Sequence, residues 1–188
     1  PMVYSDMSAA EIAELRGKGD SFSLHKRFHN NILHSKYKPK GDLAAQVYNA
    51  IEDARVEAIG SNEMKGVAKN LKAHVEKYYQ DNEIENTEAI ENAPLGDILK
   101  LLVRERLTHE LPPKSARKAV NNLRYEIEEK AGEHLDELLN NISDQDTFSK
   151  MSRKIIADLN LAIDYDEQEN SDDDMGDDLD DQIDDSEQ

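Results

Sequence analysis

Apolar residues recur at three- and four-residue intervals along most of this chain, the period of a helix that buries one stripe. Leu43, Val47, Ile51, Ala54 and Ala58 make one such run, and Met64, Val67, Ala68, Leu71 and Val75 make a second. Leu95, Ile98, Leu99, Leu102, Val103 and Leu107 form the most apolar run, which Pro112-Pro113 is expected to stop because proline lacks the amide that would extend a helix. Near the N-terminus, Ser8-Ala-Ala-Glu11 has capping-box spacing and predicts a short helix to about Arg16, broken by Gly17 and Gly19. A helix from Phe22 to Ser35 follows, with Phe22, Leu24, Phe28, Ile32 and Leu33 as its apolar positions, before a Lys/Pro/Gly turn at 36–41. Gly60-Ser61-Asn62 is read as a stop, and the polar stretch Gln80 to Asn92 as an exposed connection.

Beyond the prolines, a helix from Lys114 places Ala116, Val120, Leu123 and Ile127 inward, and Leu135, Leu138, Leu139 and Ile142 extend or follow it. Asp144 or Asp146 is positioned to cap a last helix carrying Phe148, Met151, Ile155, Leu159 and Ile163. No segment alternates with period two, and no unit repeats at solenoid length. The pattern predicts an all-α fold, an irregular multi-helix bundle of about six to eight helices.

Charge divides the chain in two. Of its 188 residues, the segment from Asp164 to Gln188 holds fourteen acids and no Lys or Arg, whereas residues 1–163 hold 27 acids against 23 bases. High like charge with apolar residues as sparse as Met175, Leu179 and Ile183 predicts a disordered acidic linker at 164–188, behind a helical domain at 1–163. The absence of cysteine excludes disulfides and thiolate chemistry and suits a cytoplasmic protein. No run of about 18 apolar residues suggests a membrane span. The acidic balance argues against nucleic acid, since the one basic cluster, Lys36, Lys38 and Lys40, sits in a turn-like segment.

Tests for chemistry leave little. His25 and His29 have i, i+4 spacing, but Lys26 and Arg27 follow His25 and no third zinc ligand is fixed. No His has Glu three residues before it, as a di-iron bundle would need, and Gly17-Lys18 lacks the rest of a phosphate-binding loop. No catalytic, cofactor-binding or metal-binding residue is therefore assigned. What stands out are charges inside apolar helices: Glu52, Arg55 and Glu57, then Arg104, Glu105 and Arg106. They are read either as intrachain ion pairs that fix helix register or as a polar docking surface for a partner.

Glu52-Asp-Ala-Arg-Val-Glu-Ala-Ile-Gly60, with Met64, Gly66-Val-Ala and Asn70-Leu71 after it, resembles the N-terminal region of CobT, a subunit of the aerobic ATP-dependent cobaltochelatase. Leu15-Arg16-Gly17, Asp20, His29, His34, Val103 to Thr108, Pro112-Pro113-Lys114 and Lys130-Ala131-Gly132 agree in order, so the resemblance covers most of residues 11–163. It implies a part in ATP-dependent Co(II) insertion into hydrogenobyrinic acid a,c-diamide during cobalamin biosynthesis, a ligase reaction. The implied partners are the AAA+ ATPase subunit CobS and the corrin-binding subunit CobN, in a complex that uses ATP, Mg and Co(II). The family's C-terminal von Willebrand A-type domain carries a D-x-S-x-S metal site, and no D-x-S-x-S occurs here. A start at Pro1 and an end within an acidic run are accordingly expected of a piece of a longer subunit. The expectation is an assembly region with no catalytic centre of its own, docking through Glu52, Arg55, Glu57, Arg104, Glu105 and Arg106. The alternatives are a stand-alone helical adaptor and an acidic metal-handling protein.

Overall fold

A computed structural model describes residues 7–82, 84 and 93–161, which form seven α-helices and no strand. In chain order these are α1 Ala9–Phe28, α2 Asn31–Tyr37, α3 Asp42–Glu63, α4 Lys65–Asp81, α5 Leu95–Thr108, α6 Arg117–Asn140 and α7 Gln145–Asp158. The all-α expectation and the helix number agree with the sequence pattern. Ile163, the acidic segment 164–188 and most of the 83–92 connection lie outside the described residues.

Local signals set most of the boundaries. The Ser8 amide donates to Glu11 Oε2 at 2.7 Å and the Glu11 amide donates to Ser8 Oγ at 3.3 Å, so the reciprocal capping box is formed. Asp144 rather than Asp146 caps α7, accepting from the amides of Asp146 and Thr147. Helix α5 ends four residues before the prolines. His109 takes a left-handed conformation, φ 59°, and its amide closes on the Glu105 carbonyl at 2.8 Å.

Two boundaries depart from the sequence expectation. Helix α1 runs without a break through Gly17 and Gly19, and the chain instead turns at His29-Asn30, where Asn30 Oδ1 accepts from the amides of Ile32 and Leu33 to start α2. Gly17 is buried against α4, where a Cβ would be driven into the Asn70 carbonyl and the His74 Cβ. This glycine therefore permits close backbone approach of two helices, and its loss of helix propensity is offset by that packing. Gly60 likewise does not close α3. It lies inside the helix, which runs to Glu63, and its missing side chain makes room for Leu24 of α1.

Helix α3 is the axis of the bundle, with α5 along one flank, α4 and α1 along another, and α7 across its remaining side. Helix α6 joins α5 to α7, and the short α2 lies on α7. Val47, Ile51 and Ala54 of α3 meet Ile98, Leu99 and Leu102 of α5 in one large core, which Val120, Leu123 and Ile127 of α6 and Phe148 and Ile155 of α7 complete. Leu24, Val56 and Leu71 form a second, smaller cluster where α1, α3 and α4 meet. Phe22 and Ile32 were expected on buried stripes but are 64% and 82% exposed, and Leu43 is exposed too. Tyr37, Tyr48 and Tyr79 fill core positions instead, each anchoring its hydroxyl on a polar neighbour.

Candidate functional site

Where other helices pack over α3, three of its charged residues, Glu52, Arg55 and Glu57, are buried along with its apolar ones. Glu52 is 3% and Arg55 2% exposed. One turn apart, they form a bidentate pair, Arg55 Nε donating to Glu52 Oε2 at 2.8 Å and Nη2 to Oε1 at 2.7 Å. The rest of the guanidinium reaches outward. Nη2 donates to the Phe28 carbonyl at the end of α1 at 2.7 Å, and Nη1 to the Ile142 carbonyl between α6 and α7 at 3.1 Å. Gln145 accepts from Arg55 and from the Asn30 amide, and returns a bond to the Asn30 carbonyl. One arginine thus ties the α1–α2 corner and the α6–α7 corner to the central helix.

The histidines of the sequence motif adjoin this knot. His29 Nδ1 lies 2.8 Å from Glu52 Oε1, and His25 Nε2 lies 3.0 Å from Asp53 Oδ1. The rings of His25, His29, His34 and Tyr48 follow one another at centroid separations of 4.3, 4.7 and 4.6 Å. Burial holds His34 below the ordinary imidazole range, against a hydrogen bond with Asn49 that acts the other way. Burial also pushes the Tyr48 phenol up to about 12. Among the described residues, no group of three His, Asp or Glu side chains is arranged to hold a metal ion.

On the opposite side of α3, a cleft of about 410 Å3 opens between α1, α3, α4 and α5. Glu57 lies at its base, where Oε1 accepts from Ser21 Oγ at 3.0 Å and from Lys100 Nζ at 3.1 Å. Burial raises the Glu57 carboxyl, but the charge and hydrogen bond of Lys100, the charge of Arg104 and the Ser21 hydroxyl together hold it below the usual range. Burial lowers Lys100 in turn, and the carboxylates of Glu57 and Asp53 more than restore it, so the pair is ionised. Arg104, also lining the cleft, donates through Nη2 to Glu110 Oε2 at 2.8 Å.

Glu105 and Arg106 belong to a third arrangement, which crosses from α5 to α6. Glu105 pairs with Arg124 at 2.6 Å, Arg124 with Glu128 at 3.3 Å, Glu128 with Arg106 at 2.9 Å, and Arg106 with Asp136 at 3.1 Å. This is a continuous ladder of alternating charge, partly open to solvent along its length. Tyr125, beside Arg124 in sequence, is 75% exposed.

The six residues read from the sequence as one docking surface are therefore not on one face. Glu52 and Arg55 face neighbours within the chain, Glu57 and Arg104 line the cleft, and only Glu105 and Arg106 reach the surface ladder. The correction follows from packing: charge at a helix position says nothing about burial until the helices that cover that position are placed. Lys100, Asp53 and Gln145 were missed. Lys100 and Arg104 carry a sequence signal, an i, i+4 pair of bases on one helix face, whereas Gln145 carries none.

The family model described as "Cobalamin biosynthesis protein CobT" matches residues 1–188. No solved structure matches the chain. The chain belongs to the CobT family, and its role lies in cobalamin biosynthesis.

Proposed function

We propose that this CobT-family chain is an assembly domain of a cobaltochelatase, holding an AAA+ ATPase subunit and a corrin-binding subunit together while Co(II) is inserted elsewhere in the complex. The observation that carries the reading is the division of the charged residues. The inner set, centred on Arg55, is used up in joining helix corners, which makes a stiff frame. The outer set, Glu105–Arg124–Glu128–Arg106–Asp136, is partly open to solvent, and Tyr125, next to Arg124 in sequence, is exposed. Interfaces draw affinity from aromatic and arginine anchors and partner choice from patterned charge, and α6 carries both kinds of group.

The test is co-purification of the complete subunit with the ATPase and corrin-binding subunits, comparing wild type with Tyr125→Ala and with Asp136→Lys. Both positions are exposed, so folding is expected to survive, with unchanged circular dichroism as the check. Assembly is expected to weaken by about tenfold or more, the effect of losing about 1.4 kcal/mol or more at an anchor. Undiminished assembly and chelation with both variants, or with residues 1–163 removed altogether, would sink the proposal.

A further inference from the structure

Exposed lysines gather where the short α2 lies on α7. Lys36 of α2 and Lys150 of α7 sit over the same Tyr37 ring, with Nζ 4.7 and 6.0 Å from its centroid. Lys38 ends α2, and Lys154 stands one turn beyond Lys150 on α7; both are exposed. The acids beside them are already engaged. Asp146 accepts from the Tyr37 hydroxyl at 2.7 Å and pairs with Lys150 at 3.0 Å, and Asp144 caps α7 through the amides of Asp146 and Thr147. Along the chain from 31 to 49 the one acid is Asp42, at the start of α3. Among the described residues, Lys36, Lys38 and Lys154 pair with no carboxylate, and Lys36 rests on an aromatic ring instead. Ile32, one turn before Lys36, is exposed beside them.

A cationic face is unexpected in a chain of net charge −18, and it suits a polyanion that also carries some apolar groups. The chain itself supplies one. Residues 164–188 hold fourteen acids and no Lys or Arg, and Met175, Leu179 and Ile183 recur among them at four-residue spacing. This segment follows α7 almost directly. Lys150 lies eleven residues before Leu161, which is about 16 Å at helical rise. Asp172 lies eleven residues after it, a reach of about 36 Å when extended, so the acids from there onward can return to the face. A short tether gives an effective concentration of about millimolar, which lets several exposed ion pairs act together although each alone is weak. A nucleic acid lacks the tether and must approach against the net negative charge.

We propose that the α2–α7 face, through Lys36, Lys38, Lys150 and Lys154 with Ile32 beside them, is the docking surface for the chain's own acidic segment 164–188. The face shares no residue with the α5–α6 ladder, so this docking stands or falls separately from the assembly function.

Carbodiimide coupling of the full chain at low micromolar concentration, read by mass spectrometry, tests it. Carboxylates of 164–188 should join the four lysines in about fivefold or higher yield than they join Lys65 and Lys69, exposed lysines of α4. Raising salt from about 0.1 M to about 1 M shortens the screening length from about 10 to about 3 Å and should remove that preference. Lys36→Glu, Lys38→Glu and Lys154→Glu combined should cut the links to Lys150 by about fivefold or more, whereas Lys65→Glu with Lys69→Glu should leave them unchanged. All five positions are exposed, and circular dichroism checks the fold; if the triple variant does not fold, the wild-type salt series decides. Even yields over all exposed lysines, or undiminished links to Lys150 in the triple variant, would overturn the proposal. Links formed only between copies, read from a mixture of heavy-isotope and unlabelled chains, would overturn it too. So would saturable binding of a fluorescent single-stranded oligonucleotide that the triple variant loses, which would assign the face to nucleic acid.

Discussion

Replacing Arg55 by alanine should destabilise the fold far more than removal of a typical charged residue. The side chain makes two bonds to Glu52 and one each to the Phe28 carbonyl, the Ile142 carbonyl and Gln145, and it is 2% exposed. Its loss leaves a buried carboxylate whose remaining close polar partner among the described residues is His29, and two backbone carbonyls that lose the guanidinium as donor. Removing one member of a buried ion pair costs about 3–5 kcal/mol, and each carbonyl left unsatisfied about 1–3 kcal/mol. These contributions overlap, since the corners relax together, so the expected loss is about 3–5 kcal/mol rather than their sum. Against a total of about 5–15 kcal/mol for a domain, that is a large fraction. Urea unfolding followed by circular dichroism measures it. Arg55→Lys keeps the charge without the fork and should fall between wild type and Arg55→Ala. Replacing both members, as Glu52→Gln with Arg55→Met, removes the uncompensated charge but not the need of the two carbonyls, so about 2 kcal/mol of the loss should remain. Arg124→Ala, in the half-exposed ladder, is the control and should cost under about 1 kcal/mol. If Arg55→Ala costs no more than Arg124→Ala, the buried cross-tie is not what holds the two corners.

Three further outcomes are expected. Gly17→Ala should destabilise by about 1–3 kcal/mol because the new methyl meets backbone of α4, whereas Gly19→Ala, with nothing within 4 Å of its Cβ position, should stabilise by about 0.5–1 kcal/mol; thermal or urea unfolding separates the two. His34, held by burial below its ordinary value, binds its proton more weakly folded than unfolded, so the stability it contributes is complete above about pH 6.5 and is lost as pH falls through its folded value; His34→Gln should flatten that slope in unfolding measured across pH, and the imidazole should titrate below about 6.5 by NMR. Glu57, despite burial, is held below the carboxylate range by Lys100, Arg104 and Ser21, so its stabilisation is present above about pH 4.3 and lost as pH falls through the lower folded value. Glu57→Gln should make acid unfolding measurably less steep there, and an unchanged acid limb would contradict the Lys100 pairing.

How much of this was readable beforehand differs from element to element. Helices α5 and α6 were legible because their apolar residues repeat at helical spacing with no competing signal, and Leu99, Leu102, Val120 and Ile127 are buried as that spacing requires. Helix α1 was not, because a glycine inside a helix and a glycine that ends one look alike until a second helix is placed beside it. Only the position of Asn70 and His74 tells that Gly17 serves contact with α4. Phe22 and Ile32 misled for a similar reason: an apolar residue on a helix is evidence of a core only if something covers it.

The charged residues show where the limit lies. That Glu52 and Arg55 could pair was legible from their i, i+3 spacing, as was the choice between register-fixing pairs and a docking face. Which of the two applied depended on whether α3 is surrounded, and this is a property of the other helices. With α1, α4, α5 and α7 packed around it, the part of α3 that carries Glu52 and Arg55 is buried, and a charge placed there must be answered from within. Phe28, Ile142 and Gln145 provide that answer from two chain corners far apart in sequence. Both corners bond the same guanidinium, and Asn30 and Gln145 bond each other, so formation of the α1–α2 turn and of the α6–α7 turn should be coupled. Hydrogen exchange on Arg55→Ala tests this directly: amides at His34 and Phe148, one from each side, should lose protection in parallel, and loss confined to one side would mean that the two corners are held independently.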